Sequence, residues 1–479
     1  MSKLIILSNR VSLPQPDHPS AGGLAVALQD ALDDVGGIWL GWNGQQIADH
    51  LSNEFSHIED QHVDYITCPL QHSQYSKYYC GFANNTLWPA MHDRVDLIDY
   101  KDDEYETYQQ VNRLFALQLS KIAQPEDIIW VHDYHFFSVA RYCRELGMKN
   151  RIGFFLHIPF ARLNIWQSLP ECASLIKDLC QYDVVGLQTE NDQQICMQVC
   201  KQVLKAHEID SEWLRYNHHL TQIKCYPIGV NPELIQDIAL QTDKADIQSV
   251  FELDTFNQQK TIIGVDRIDY SKGLLERFDA FENFLKYYPE YHRQVTDLQV
   301  ACPCRIEIPA YENLFERVKD KVKQINQEFS QKDWLPVNCV HDAVDHDLLM
   351  KIYRLADICW VSSLRDGMNL VAKEYIAAQN PHDPGVLILS QFAGAAQQMP
   401  EALIVDPQDQ HAMVDALKTA LNMSKVEKLE RYQQLISGIK SFDINDWRNA
   451  FLEDLSNIDI IQEPIFKLPV QSSSQLSFK

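Results

Sequence analysis

The chain is short of positive charge: 42 lysine and arginine residues stand against 66 aspartate and glutamate residues among 479, a net charge of −24 with histidine neutral. A field of that sign repels nucleic acid and anionic membrane surfaces, which are bound through basic patches. It also repels phosphorylated metabolites unless basic side chains are gathered in one cleft. No CxxC pair occurs among the 12 cysteines. Cys196 and Cys200 are four residues apart, and Cys302 and Cys304 flank Pro303, but neither pair has a partner pair at zinc-finger spacing. Reduced, mostly buried thiols in a reducing compartment are therefore expected. Nothing approaches the roughly 20 apolar residues of a membrane span. The start, from Met1 to Arg10, has too short an apolar core for a signal peptide and ends in a polar pair. It reads as a first buried strand, which points to a cytoplasmic protein. No internal repeat and no low-complexity tract is visible.

What is present is an ordinary globular composition, 46% hydrophobic and 23% charged, so disorder is not expected outside the ends. A single core stops growing at about 250 to 300 residues, which predicts two domains. Short apolar runs alternate with amphipathic stretches: "LIILS", "GIWLGW", "DIIWVHD", "RIGFFLHIPF", "DVVGLQT", "IKCYPIGV", "TIIGVDR", "DLQVACPC", "DICWVSS" and "GVLILSQ". Continuous apolar strands separated by helical stretches predict α/β architecture with parallel sheets covered on both faces. A polar stretch after Val230, opened by proline and glycine, places the seam near residues 230 to 240. The predicted domains are 1–235 and 236–440, with a frayed tail at 461–479. Ligands of open α/β sheets bind beyond the carboxyl ends of the strands, so a cleft between the domains is the expected site.

The strand ends carry the candidate chemistry. "LRDGMNLVAKE", from Leu364 to Glu374, ends one strand and opens a helix. Glycine at the turn and free N–H groups in the first helical turn suit a diphosphate. Asp366 and Glu374 are eight residues apart, at most about 12 Å of helix rise, which is roughly the span from sugar to ribose in a nucleotide sugar. An ordinary βα unit with a salt-bridged surface is the alternative. "DRIDYSKGL" places Arg267 and Lys272 at another strand end, and in so acidic a protein two such cations suggest phosphate binding; a solvated loop is the other possibility. Arg10 and Arg305, at further strand ends, suit a second anion. Gly22 and Gly23 open a helical pattern and form either a ligand approach or a tight turn. Asp133 in "HDYH" is placed to accept hydrogen bonds from sugar hydroxyls. The flanking histidines lack the paired carboxylates of a magnesium site. His157 ends a strand, as a site residue or a core histidine.

These segments, with "SNR", "SAGGL", "LWPAMHDR", "GFFLHIPF", "GLQTEND", "YPIGV" and "LSQFAGAA", resemble in order and over Ser8 to about Ile458 the bacterial-type trehalose-6-phosphate synthase family, retaining glycosyltransferases of family 20. The resemblance implies the GT-B fold of two Rossmann-like domains facing a cleft. It implies transfer of glucose from UDP-glucose to glucose 6-phosphate, the first step of trehalose biosynthesis, without metal or other cofactor. A last helix, about 441–460, would cross back onto the first domain. A cytoplasmic homo-oligomer, dimer or tetramer, is implied, with no nucleic-acid or membrane partner.

Residue by residue, the resemblance assigns Arg10, Tyr79, Asp133 and Arg305 to the acceptor, and Trp88 and Ile158 to anomer selectivity. It assigns the donor to Gly22, Gly23, Arg267, Lys272, Val344, Asp366, Gly367, Met368, Asn369, Leu370, Val371, Ala372, Lys373 and Glu374. Arg267, Lys272, His157 and Asp366 are the implied catalytic group. The chain departs from the family at "ARLNIW", where a proline and then a glutamate are usual, at the cysteines before Arg305, and at Val344, where an aromatic is usual. That last change leaves the choice among UDP, GDP and ADP donors open. A relative with another acceptor, such as a glucosylglycerol-phosphate synthase, and a non-catalytic regulatory relative are the competing readings. Arg10, Tyr79, Trp88 and Arg305 together favour glucose 6-phosphate, because buried polar sites reject ligands that leave them unpaired.

Overall fold

The computed structural model describes residues 2–13, 28–29, 31–32, 36–60, 62–241, 250–251, 259–331 and 333–458. Each apolar run named above becomes a strand. In the first domain these are β1 (Leu4–Arg10), β2 (Gly37–Ile47), β3 (Ser56–Asp60), β4 (Val63–Gln71), β5 (Ile128–His132), β6 (Arg151–Phe155), β7 (Val184–Leu187), β8 (His207–Glu208), β9 (Trp213–Tyr216) and β10 (His219–Cys225). They form one sheet in the order β3-β4-β2-β1-β5-β6-β7-β10-β9-β8. The seven strands from β4 to β10 along that order are parallel, and β3 at one margin and β9 and β8 at the other pair antiparallel. The second domain holds β11 (Lys260–Ile268), β12 (Val295–Pro303), β13 (Val337–Val340), β14 (Ile358–Val361), β15 (Val386–Ser390) and β16 (Leu403–Val405), all parallel, in the order β13-β12-β11-β14-β15-β16. The central strands β1, β5, β6, β7, β14 and β15 are buried almost throughout, as strands covered on both faces must be. Among the described residues, no helix is long and apolar enough to cross a membrane.

The boundary expected at 235/236 falls inside the helix Pro232–Leu240. That helix packs on helices His346–Leu355 and Leu370–Ala378 of the second domain. The Gln236 amide also donates to the Gln379 carbonyl at 3.2 Å. The crossover therefore lies just before it, where Pro227 and Gly229 interrupt regular structure and Asn231 caps the new helix.

The last helix, Ile444–Ser456, returns to the first sheet. Its start is tied by Ile444 N–H to the Val230 carbonyl at 3.2 Å. Trp447, Phe451 and Leu455 are buried, and the Trp447 ring lies 4.9 Å from Trp130, 5.1 Å from Phe155 and 6.2 Å from His157. The helix closes the floor beneath the strand end that carries His157. Removing so large a buried ring costs about 3 to 5 kcal/mol, transfer and cavity together. Trp447→Ala should therefore lower the urea midpoint of unfolding clearly; an unchanged midpoint would show that the helix only rests on the sheet.

Candidate active site

Two loops of the second domain meet beneath the cleft. After β11, Asp269 shapes "DRIDYSKGL" from within: its Oδ1 accepts from Ser271 N at 3.0 Å, and its carbonyl accepts from Lys272 N at 3.0 Å. Gly273 follows at φ +64, where a Cβ would stand 2.1 Å from the Ser362 carbonyl oxygen, so only glycine lets this turn lie on the end of β14. The Lys272 ammonium is thereby turned to Asp366, at 2.6 Å from Oδ2. Asp366 also accepts from Ser363 Oγ at 3.0 Å and Asn369 Nδ2 at 3.1 Å. Burial works to raise its carboxyl, but Lys272 and Asn369 overcome that and hold it at about 2, fully ionised at neutral pH.

Asn369, at φ 69, caps the helix Leu370–Ala378, its Oδ1 accepting from Ala372 N at 3.2 Å. Gly367 stands in the turn ahead of this cap. It lies where the two domains touch: a Cβ there would stand 2.0 Å from the His157 carbonyl oxygen. Leu370 and Val371 open the helix, and with Asn369 and Glu374 they line a cavity of about 460 Å³. Arg267, Lys272, Cys302, Cys304, Val344 and His346 complete most of its wall. The first-turn amides, two cations and the Glu374 carboxylate thus share one concave space. Glu374 lies 3.5 Å from His346 Nε2.

Three residues assigned to the donor by the resemblance are turned elsewhere. Lys373 is buried, and its Nζ donates to the Ile228 carbonyl at 2.6 Å, where burial lowers its ammonium to about 7. Ala372 is packed in the core, and Met368 faces a separate gap between the domains beside Gln188 and Gly394. Residues 370, 371 and 374 share one helical face, and 372 and 373 lie about 100° and more away from it. Gly22 and Gly23 lie outside the described residues.

On the other side of the cleft, Trp88 is the shared surface. Arg305 stands 4.0 Å and Arg267 5.3 Å from its ring centre, and His92 stacks behind it at 4.2 Å. Arg267 is surrounded by protein on several sides, yet its side chain is open to the cleft. Arg305 comes from the second domain and donates to Tyr311 at 2.7 Å and, across the cleft, to Tyr134 at 3.0 Å. Asp269, fully buried, lies 3.5 Å from Arg305; burial opposes its charge, but Arg305, Arg267 and His92 keep its pKa below the usual aspartate value. Tyr79 lies on an unusual segment, Tyr75–Leu87, wound as a π-helix. Its ring stacks with His135 at 5.9 Å and meets Trp42 at 5.7 Å. Arg10, exposed at the end of β1, reaches over the same Trp42 at 5.9 Å. Arg10 and Tyr79 thus meet at Trp42, and neither they nor Arg305 line the cavity at Glu374.

Asp133, at φ 73, stands between the two ends and accepts from His157 N at 3.3 Å. Burial raises its carboxyl to about 6, against the pull of Tyr134 N–H, His157 N–H, Arg305 and Arg267. The His157 ring is 3.0 Å from His132 Nδ1, and burial lowers it to about 3, so it is a neutral hydrogen-bonding group at physiological pH. Ile158, almost fully buried, follows it against Gly367.

His92, Asp269, Tyr134 and His346 were not singled out in the sequence. The first three lie within or beside quoted segments, but nothing local marks them, because their partners are far away in the chain. The departing loop "ARLNIW" is also anchored by distant groups. Arg162 pairs with Asp93 at 3.0 Å, and Arg365 of the second domain pairs with the same carboxylate and donates to the Phe160 carbonyl at 2.9 Å.

Comparison with known proteins agrees over nearly the whole chain. The sequence profile of glycosyltransferase family 20 matches residues 7–457. A trehalose-6-phosphate synthase of Sodalis glossinidius is 42% identical over 464 residues, covering 96% of this chain and 97% of the relative. Among solved structures, an alpha,alpha-trehalose-phosphate synthase (UDP-forming) from Burkholderia xenovorans in complex with glucose-6-phosphate superposes with a TM-score of 0.90 at 38% identity, covering 95% of this chain and 100% of that one. An Escherichia coli structure bound with UDP-2-fluoro glucose gives 0.89 at 37%, covering 95% and 99%.

Proposed function

The chain belongs to glycosyltransferase family 20, and from that premise we propose that its cleft transfers glucose from UDP-glucose to glucose 6-phosphate with retention of configuration, releasing UDP. The observation that carries this is the division of four cations in an acidic protein into two sets. Arg267 and Lys272 line one cavity with a helix start and a carboxylate, while Arg305, which shares the Trp88 ring with Arg267, and Arg10, over Trp42 beside Tyr79, stand outside that cavity. One set suits the diphosphate of the donor, the other the phosphate of the acceptor.

Cleaving the glycosyl–phosphate bond places charge on the departing diphosphate, and groups already aimed at that charge stabilise the transition state most. Lys272 is held in place by ionised Asp366, and the Leu370 and Val371 amides open the helix beside it. Glu374, at the far end of the same face, takes the ribose. Asp133 and the neutral His157 hold sugar hydroxyls, and Trp88 with Ile158 shapes the acceptor pocket. The leaving phosphate oxygen takes the proton of the attacking hydroxyl on the same face, so no protein base is assigned. The scheme of two carboxylates used by glycoside hydrolases does not apply to Asp366 and Glu374, one of which is bound to a lysine. Metal is not needed for this charge stabilisation, since two cations and the helix start supply it.

Purified protein given UDP-glucose and glucose 6-phosphate in the presence of a chelator should release UDP and form the α,α-1,1-linked disaccharide phosphate. UDP release that required glycerol 3-phosphate and ignored glucose 6-phosphate would overturn the acceptor. A panel of UDP-, GDP- and ADP-glucose in the same assay reads the base preference around Val344.

A further inference from the structure

The donor cavity contains one ionisable ring that the reaction scheme does not use. His346 is the first residue of the helix His346–Leu355, whose start is capped by Asp345 through bonds to Asp347 N at 3.0 Å and Leu348 N at 3.2 Å. Its side chain is only 16% exposed and lines the cavity, with Nε2 3.5 Å from Glu374 Oε1 and Nδ1 3.9 Å from Asp347 Oδ1. Glu374 is itself buried, so a neighbour that holds one of its oxygens decides where the other points.

We propose that His346 is a positioning residue for the donor: its imidazolium fixes the Glu374 carboxylate toward the nucleoside end of the cavity, which makes donor affinity depend on pH. This rests on the reading that Glu374 takes the donor's ribose. A protonated ring can only donate, and it occupies Oε1, leaving Oε2 to accept from a ribose hydroxyl. It also adds a third positive charge to the cavity that receives a diphosphate. A neutral ring keeps neither the charge nor, in one of its tautomers, the donor.

The surroundings set the sign. Burial opposes the imidazolium, and so does the helix start. Glu374, then Asp347 and Asp345, outweigh them, so the ring titrates above its ordinary value of about 6.5. The other ionisable groups lining the cavity are Asp266 and Arg267 from β11, Lys272 beyond it, Cys302 and Cys304 at the end of β12, and Tyr353 on the same helix as His346. Asp266 is committed to Arg277 at 2.9 Å and Lys272 to Asp366, so Glu374 remains the principal partner of the ring. The charged ring is present below its raised pKa and is lost as pH rises through it.

The test is the UDP-glucose KM between about pH 6 and about pH 8.5, in the wild type and in His346→Gln, His346→Arg and Glu374→Gln. The wild-type KM should rise on the order of fivefold across that range while kcat changes little. His346→Gln should be flat near the high-pH value, and His346→Arg, with a permanent cation, flat near the low-pH value. Comparing variants on one substrate cancels the ligand's own titration. Parallel profiles in the wild type and His346→Gln would overturn the proposal. If Glu374→Gln raises KM but His346→Gln does not, the positioning role alone is wrong. If Glu374→Gln leaves KM unaltered, the ribose assignment fails and the proposal with it.

Discussion

Lys272→Ala should lower kcat by about 100- to 1,000-fold, the cost of removing one preorganised group aimed at developing charge, while leaving the glucose 6-phosphate KM within about a factor of two. The asymmetry follows from placement. Lys272 lines the cavity proposed for the donor, whereas Arg10, Tyr79 and Arg305 lie outside that cavity. The ammonium is also held ready, 2.6 Å from an Asp366 carboxyl kept ionised down to about pH 2. Its orientation therefore needs little rearrangement when the diphosphate leaves, and its loss removes stabilisation made mainly in the transition state. The substitution also leaves Asp366 buried without its cation, so unfolding must be measured beside turnover. A variant that folds and turns over at the wild-type rate would remove Lys272 from the leaving-group role. One that loses acceptor affinity as strongly as turnover would place the lysine at the wrong end of the cleft.

Gly367→Ala is expected to reduce kcat/KM by about 100-fold or more, the scale of a 1 Å misplacement of reacting groups, with both domains still folded. The new methyl group would stand 2.0 Å from the carbonyl oxygen of His157 and 3.2 Å from Cα of Ile158. Those are backbone atoms at the end of a sheet and cannot rotate aside as a side chain could. The first domain must move away from the second, taking His157, Asp133, Arg10 and Tyr79 away from Arg305. Circular dichroism and the unfolding midpoint should change far less than activity, because each sheet keeps its own core. Full activity would mean that the cleft works with the domains further apart than they stand here.

Much of the fold could be read from composition and pattern. Ten strands were legible because strands covered on both faces must be apolar along their length. The strands that escaped notice are of another kind. In β4, "VDYITCPLQ" mixes polar residues into a buried strand, and β13 and β16 are only four and three residues long. β3 and β8 are antiparallel edges exposed along most of their length, and β9, between β8 and β10, is only four residues long. The π-helical winding of Tyr75–Leu87, which buries Tyr78, Phe82 and Leu87 in the core, has no signature in its residue types.

The site was legible in part for the same reason. Parallel strands end at one edge, so Arg10, Arg267 and Arg305, each at or just beyond a strand end, had to face a common cleft. The partner of each did not follow. Lys272 and Asp366 are 94 residues apart, and Arg305 and Tyr134 are 171. The direction of the Lys373 side chain does not follow from the motif, because motif membership says nothing about helical face. It sits one residue before Glu374 and points to the opposite domain's Ile228 carbonyl instead of into the cavity.

Taken by itself, the sequence determined the two α/β sheets, the cluster of cations at their ends within an acidic chain, and the family. All of these depend on local residue type, periodicity and order. Only the tertiary structure decided that Asp366 orients Lys272, that Gly367 forms the domain contact, and that His346 stands beside Glu374 in one cavity. These are pairings between residues distant in the chain, and their energies exist only once burial has removed water and set the geometry.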